Sequence, residues 1–600
     1  MEKGQHLEDL GASTQPTTVA GGVQRRSWRL VIFWLALTAL VTRFLIDWDF
    51  GMVPFSDHGL DLSSQCPQID ALKPAIQSEL FSDLDEKLAS ADFRDASVKR
   101  LSDIVKIPSI SYDDMGTVEK DKRFKIFYDV EKYLEKTYPL VHSKLRKENV
   151  NTHGLLYTWK GSDESLKPTV LMAHQDVVPV EKSTIETWTH PPFSGHYDGK
   201  YIWGRGASDC KNQLTAVYEA IESLLEADYQ PKRTVILSFG FDEEISGTRG
   251  AGSLAAHILD RYGKDSVAAI IDEGAGRELK WGAGYAAPAV GEKGYTDVHI
   301  TIRMPGGHSS VPSPHTSIGV LSELITLIEK DTYRPYLASN NPILGQLQCG
   351  ARYSPSFPKK LRNLLSRRAR HPLTVSPNSL PSCAKHSVTH DPLAEAAAQE
   401  GPAVRYLMQT SQAVDLISGG AKVNALPELT SAVVNHRVNV GEHPSIPQKR
   451  IVHLAAKVAH AHNLTLYAFP EDESKIGGRS ILLSASQTTL EPAPSTPIDN
   501  YIPGTDKLSP WGVLSGTTRD LYGEEIKMAP GMTTGNTDTR YYWDLSKHIF
   551  RYGPGWDPED DEFGFGNIHT VDEKQSVTGH VNAVRWFVKW IGNVDGAEFE

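Results

Sequence analysis

The chain has 600 residues, 40% hydrophobic and 23% charged, with a formal net charge of −12. The length asks for more than one core, and the composition excludes wholesale disorder and a multi-span membrane protein. A diffuse negative charge lacks the concentrated basic face of a nucleic-acid binder.

Residues 1–29 are polar and without hydrophobic period, and read as a disordered cytosolic tail. Lys3 is the one lysine of that tail. It is either an incidental surface lysine or the place for ubiquitin-dependent sorting. Arg25, Arg26 and Arg29 precede the apolar run that opens at Leu30, and Arg43 near its end can snorkel, so 30–46 is expected to be a single transmembrane anchor of about 17 residues. A signal peptide is the rival, opposed by the long region before the run and the lack of an Ala-x-Ala cleavage site. The positive-inside rule then puts the rest of the chain across the membrane, a type II topology. Residues 47–89 read as a luminal stalk and first helix. Asn463-Leu464-Thr465 is a glycosylation match that fits luminal exposure.

From 90 to 292 short apolar runs, "PTVLMAH", "RTVILSFG" and "SVAAIID", alternate with helical segments such as "QLTAVYEAIESLLEA". This is the rhythm of an α/β domain with a mostly parallel sheet. A second rhythm from 293 to 472 runs β-α-β-β-α-β, the ferredoxin-like split unit, ending in the strand "LTLYAF". It carries a basic insertion, Lys359 to Arg370, which fits a solvated face, an acidic partner or lipid. The Pro- and Ser-rich stretch from Glu471 to Lys507 reads as a loop, and 473–600 is expected to return to the first domain, making the smaller domain an insertion. Cys66, Cys210, Cys349 and Cys383 are too few and scattered for a disulfide scaffold or thiolate zinc cluster, although one disulfide is allowed, Cys349 with Cys383 being the pair to test first.

The predicted strands of the first domain end in chemistry. His174 closes one, and Asp176, two residues on, shares its face and can hold the second ring nitrogen. Asp209 leaves a glycine-rich turn, Glu243 and Glu244 follow a second strand, and Asp272 ends a third. Each alone has a bland reading: a core histidine, a solvated acidic turn. Together they suggest one convergent site at the carboxyl edge of the sheet. Carboxylates and imidazoles without thiolate suit zinc, manganese or cobalt. Two ions about 3.5–4 Å apart, sharing a carboxylate and a water, would use all of these ligands.

The motifs "HQDVVPV", "GRGASDCKN", "DEEISGTRGA", "IIDEG", "GGHSSVP", "GNTDTRYYW" and "IHTVDE", in that order, resemble the di-zinc aminoacylase and carboxypeptidase family of metallopeptidases, in its Gly-X carboxypeptidase branch. The resemblance implies two Zn2+ per subunit, held by His174, Asp209 as the bridge, Glu244, Asp272 and His569. Glu243 would be the general base and Asp176 the residue that steadies His174. It implies a cis bond between Asp209 and Cys210. His308, reaching over from the smaller lid domain of this or a neighbouring subunit, would assist the oxyanion. Arg437, with Asn424 beside it, would bind the substrate carboxylate, an assignment that the bidentate guanidinium suits, and Thr537 and Asp538 would line the pocket. The implied activity is release of C-terminal residues from short peptides, in the vacuole or secretory pathway, with a homodimer through the lid. An N-acyl-amino-acid hydrolase or synthase is the alternative within the family. A catalytically silent membrane-anchored binding protein is the alternative outside it, opposed by the intact Glu243.

Overall fold

A computed structural model of the chain describes residues 64–599, apart from 374, 375, 377, 379–389, 474, 475, 487, 562, and 565. Lys3, the anchor expected at 30–46 and Cys383 lie outside the described residues. Among the described residues no helix is long and apolar enough to cross a membrane.

The three apolar runs form the strands Thr169–His174, Val235–Gly240 and Ala269–Ala275, the first two buried at every position. Burial on both faces follows from helices on both faces. Leu171, Leu237 and Ile271 pack with Leu214, Val217 and Trp586, from the helices Lys211–Glu226 and Val577–Asp595. Their neighbours Val170, Met172, Ile236 and Ile270 pack with Leu254 and Ile258 of Ala251–Tyr262. The alternation is the two-residue period of a pleated strand.

The main sheet has eight strands in the order Arg146–Val150, Gly154–Trp159, Val235–Gly240, Thr169–His174, Ala269–Ala275, Ile549–Tyr552, Ala289–Glu292 and Gly531–Thr533. The central four run parallel, so their carboxyl ends share one edge. The C-terminal residues do return to this sheet. So does the helix Ser78–Leu88: Phe81, Leu84 and Leu88 enter the main core, and Asp85 accepts from Arg585 at 2.8 Å. That helix is part of the body built on the main sheet.

The insertion forms a five-stranded sheet in the order Ser411–Gly419, Leu429–Val438, Gly294–Arg303, Ser480–Ala485 and Thr465–Ala468. Val298, Ile300 and Ile302 face the helices Ser317–Lys330 and Ser445–Ala461. The slot expected for "LTLYAF" is filled by Ser480–Ala485, which pairs along Gly294–Arg303, while Thr465–Ala468 lies outside it at the edge. The insertion therefore continues to Ala485, beyond the boundary expected at 472. The short apolar run "SILLSA" sits beside a Gly- and Ser-rich stretch that reads as loop.

The basic segment is the helix Lys359–Arg370, with Leu361 and Leu365 buried and Lys359, Lys360, Arg367 and Arg370 exposed. This is the arrangement of a solvated face. It packs with the helix Pro342–Tyr353, whose Cys349 is disulfide-bonded to Cys66 at a Cα–Cα distance of 5.1 Å. The pairing expected with Cys383 is thus corrected. Arg352 and Tyr353 donate to the carbonyls of Gln65 and Cys66, which holds the incoming chain against that helix.

Candidate metal centre

His174 closes its strand at the shared edge and is fully buried. Its Nδ1 lies 3.0 Å from the Asp176 carbonyl and 3.2 Å from Asp176 Oδ1. An Nδ1–H donating there leaves the Nε2 lone pair facing inward, 3.0 Å from Asp209 Oδ1 and 3.3 Å from Glu273 Oε1. The other oxygen of Asp209 faces a second histidine. His569 Nε2 is 3.0 Å from Asp209 Oδ2 and 3.1 Å from Glu244 Oε2. One carboxylate is thus shared, oxygen by oxygen, between His174 with Glu273 and His569 with Glu244. The Asp209–Cys210 peptide is cis, as expected.

Asp176 does more than steady His174. Its Oδ1 accepts the Glu243 amide and its Oδ2 the Glu244 amide, each at 3.1 Å, and the Ser111 hydroxyl donates to Oδ2 at 2.6 Å. A buried carboxylate therefore fixes both the imidazole and the 3-10 turn Glu243–Ile245. Among the described residues Glu243 forms no ion pair with either histidine, so its carboxylate stands beside the donor sets without belonging to them.

The electrostatics ask for cations. Burial and neighbouring carboxylates push Glu243 and Asp538 well above the usual range, raise Glu244, and push Glu273 up to about 8. Burial works against ionised Asp209, but the bonds from His174 and His569 hold it below its ordinary value. Bonds to Asp209 and Glu244 lift His569 to about 10. Imidazole and carboxylate acceptors facing one another at these distances need protons or metal ions between them. A tetrahedral ion bound at about 2.0–2.1 Å sets its ligands roughly 3.3 Å apart, close to the 3.0–3.3 Å observed. The residues present fit a pair of divalent cations. Cys210 lies near His174 and Glu273 as well. Burial pushes its thiol up, and it accepts the His174 amide at 3.3 Å, which marks it as packing behind the site.

One expected ligand is displaced by a residue. Glu273 pairs with His174 at 3.3 Å, whereas Asp272, although it feels the His174 charge, forms no ion pair with it among the described residues; it also neighbours Glu292, Arg551 and Asp538, its Oδ2 is unpartnered, and burial pushes it up to about 6. The cause is a bulge. Arg551 pairs with Asp272 and the next residue, Tyr552, with Ala275, so Glu273 and Gly274 are extra on this strand. Such an irregularity re-aims a side chain. Gly274 has φ +155° and a Cβ there would come within 2.5 Å of the Arg551 backbone, so glycine is what the bulge admits.

The substrate-side residues divide into two groups. Arg437 lies near the end of Leu429–Val438 that meets the catalytic body, over the Tyr295 ring at 4.9 Å, with Nη1 donating to Asn536 Oδ1 at 3.3 Å. Thr537 donates through its amide and hydroxyl to Glu292, both at 2.9 Å. Asp538 is buried against Gly240 and Gly247, under the turn that carries Glu243, and does not line an open pocket. Asn424 is not beside Arg437. Ser309 donates to its carbonyl, and the adjacent Ala425 pairs with His308. His308 and Asn424 thus sit beyond the Arg303–Leu429 end of the insertion's central strand pair, whereas Arg437 pairs with Tyr295 at the other end. Leu429 and Arg437 are eight residue steps apart along the strand, about 27 Å at the usual rise.

The chain matches the model of peptidase family M20/M25/M40 over residues 170–593. It is 40% identical to carboxypeptidase S of Saccharomyces cerevisiae over 561 residues, 90% of this chain and 91% of that one. It is 30% identical to an N-fatty-acyl-amino acid synthase/hydrolase of Mus musculus over 513 residues, 84% and 89% of the two chains. Among solved structures, human carnosine dipeptidase 1 has a TM-score of 0.54 at 14% identity, covering 87% of this chain and 100% of that one. The M20 family metallo-carboxypeptidase Sso-CP2 of Sulfolobus solfataricus has a TM-score of 0.52 at 18% identity, with 83% and 99% covered. The structural likenesses speak for the fold, and the sequence match, which runs from the His174 strand into the last helix, shows that the chain belongs to peptidase family M20/M25/M40.

Proposed function

We propose that the chain is a zinc-dependent carboxypeptidase that releases C-terminal residues from short peptides of the Gly-X type. The observation that carries this is the division of Asp209 between two histidine–carboxylate sets, with Glu243 adjacent and outside both. His174, Asp209 and Glu273 would hold one zinc, and Asp209, Glu244 and His569 the other. Bound there, the pair would lower the pKa of a shared water and polarise the scissile carbonyl. Glu243 is the base that takes the proton from the attacking water and returns it to the departing amine. Asp176 keeps Glu243 and the His174 ring in register. Arg437, which forms no ion pair among the described residues, is suited to the substrate's terminal carboxylate, and Tyr295 covers one face of its guanidinium.

His308 and Asn424 lie far from this end, so their part in catalysis calls for a second subunit. The edge strand Ser411–Gly419 exposes Leu416 and Ile417, and Val423 follows it, which supports a homodimer through the lid. The Cys66–Cys349 bond and the exposed Asn463 support a luminal, vacuolar or secretory-pathway location with an anchor at 30–46.

The test is Glu243→Gln, assayed on Gly-Leu and on fatty-acyl amino acids with metal counted in the same samples. Two equivalents of metal are expected in both proteins, with dipeptide hydrolysis reduced by about 10²–10⁴ in the variant. A variant as active as its parent refutes the base. A parent that prefers fatty-acyl amino acids moves the assignment to N-acyl-amino-acid hydrolysis, which also places a carboxylate next to the amide.

A further inference from the structure

Glu573 ends the motif "IHTVDE", and neither the donor sets nor the base uses it. Its side chain is fully buried, and four donors converge on its carboxylate. The amides of Gly206, Ser208 and Asp209 reach Oε1 at 2.9, 3.0 and 3.2 Å, and Arg205 Nη1 reaches Oε2 at 2.6 Å. The backbone adds to this: the Gly204 amide donates to the Glu573 carbonyl at 2.8 Å, and the Ser208 hydroxyl to the Lys574 carbonyl at 2.6 Å. The segment that presents Asp209 is a run of turns, without a ladder of its own to fix it.

The loop that presents His569 is in the same position. Asn567, His569 and Asp572 have φ of +58°, +60° and +63°, left-handed conformations that a non-glycine chain adopts at a cost and keeps only when held from outside. Part of that hold is Asp572, which accepts the Thr189 amide and hydroxyl at 2.7 and 2.8 Å. The rest is Glu573.

We infer that Glu573 is a positioning residue of the metal centre, locking the loop of the bridging Asp209 to the loop of His569 so that the two ligands keep a common spacing. The inference rests on the two-metal reading. Glu573 lies four residues along the chain from His569 and reaches the amide of Asp209 directly, so one side chain ties both ligand loops together. It touches neither ion and acts through Asp209 and His569.

The experiment measures Zn2+ affinity by chelator competition on the full-length protein, with melting of the metal-free protein in parallel. Glu573→Asp keeps a negative charge for Arg205 but withdraws the carboxylate from the amides. Glu573→Gln keeps the length and loses the charge. Arg205→Gln breaks the ion pair and leaves the three amide bonds. Both Glu573 variants are expected to bind Zn2+ about 10–100-fold more weakly, and Arg205→Gln to stay within about threefold of the parent. A folded Glu573→Asp protein with parental affinity overturns the inference. So does an Arg205→Gln protein that loses as much affinity as the Glu573 variants, since the loss would then follow the ion pair. If neither Glu573 variant folds, the residue is structural and the inference is overturned. A parent protein with no Zn2+ affinity overturns the two-metal reading itself, an outcome distinct from the others.

Discussion

Asp176→Asn is the sharpest test of how Glu243, the proposed base, is held. The aspartate accepts on both oxygens, from the amides of Glu243 and Glu244, from Ser111 and from His174. An asparagine has one acceptor oxygen, so whichever way its amide turns, an NH2 faces one of the two backbone amides. The better orientation puts the NH2 beside Ser111, whose hydroxyl can rotate to accept, and leaves the Glu244 amide unpaired. Losing a bond to a charged acceptor costs about 2 kcal/mol, and replacing the carboxylate by a neutral carbonyl at the Glu243 amide about 1 kcal/mol more. If that 3 kcal/mol falls on the placement of the turn, kcat drops by about 10². The assay is steady-state hydrolysis of Gly-Leu at saturating metal, with metal content and melting recorded. The expected result is the loss in kcat, with KM within about threefold, because nothing that Asp176 touches faces the substrate carboxylate. A kcat within about threefold of the parent would show that the turn holds itself. A loss confined to melting temperature would show that Asp176 supports the fold and not the base.

Acid should loosen the insertion through His436. Burial pushes this ring down to about 4. The unfolded histidine takes a proton below about pH 6.5 that the folded one refuses, so stability that is complete above that pH is lost as pH falls towards 4, about 2 kcal/mol by pH 5. Melting between pH 7.5 and 5 should therefore fall less steeply in His436→Leu, and equal slopes would remove His436 as the cause. Reduction, or Cys66→Ser, frees a loop spanning 283 residues, worth about 5–6 kcal/mol of unfolded-chain entropy in the loop model. Melting should drop by several degrees, and a reductant without effect contradicts this. Gly247→Ala combines φ +65° with a Cβ 1.9 Å from the buried Asp538 Oδ1, whereas Gly504→Ala, at φ +79°, meets nothing within 4 Å. Calorimetry should find the first far more destabilised than the second, which pays about 1 kcal/mol of backbone cost. Equal losses would mean that Asp538 simply moves aside.

The sheet was legible because burial on both faces writes unbroken apolar runs, and each run is where its strand lies. The fifth lid strand was not, because "SILLSA" is short and is surrounded by loop chemistry that dominates any window drawn over it. His174, Glu243 and Glu244 could be picked out as polar groups at or just beyond the ends of apolar runs, and Asp209 as an acid leaving a glycine-rich turn. His569 lies hundreds of residues away in an irregular loop, and no period connects it to Asp209; only the resemblance did. Asp272 was chosen because it ends the third apolar run and falls in the family motif "IIDEG". The end of a run does not say which of two adjacent acids turns to His174, and past the bulge it is Glu273 that does. The glycine after Glu273 is the one signal that could have warned of this.

What holds the centre together is of a different kind from what holds the sheet. The loops around it are fixed by buried carboxylates that accept backbone amides: Asp176 for the turn of Glu243 and Glu244, Asp242 for Arg249 and Gly250, Glu292 for Thr537, and Glu573 for the approach to Asp209. Each is directional and leaves no hydrophobic period, so the sequence shows only an acid where an acid is costly to bury. That cost is itself the readable sign. An acidic residue placed against an apolar run, with no basic neighbour in its motif, needs either a cation or a set of amides. Around the centre most acids sort into the two classes, ligands that face one another across Asp209 and clamps that face the backbone behind them, with Glu243 outside both. Asp272 and Asp538 fit neither class, since Oδ2 of the first and Oδ1 of the second are buried and unpartnered. The place of Asp538 beneath the Glu243 turn, against Gly240 and Gly247, makes it the part of the centre whose substitution is most informative after Asp176.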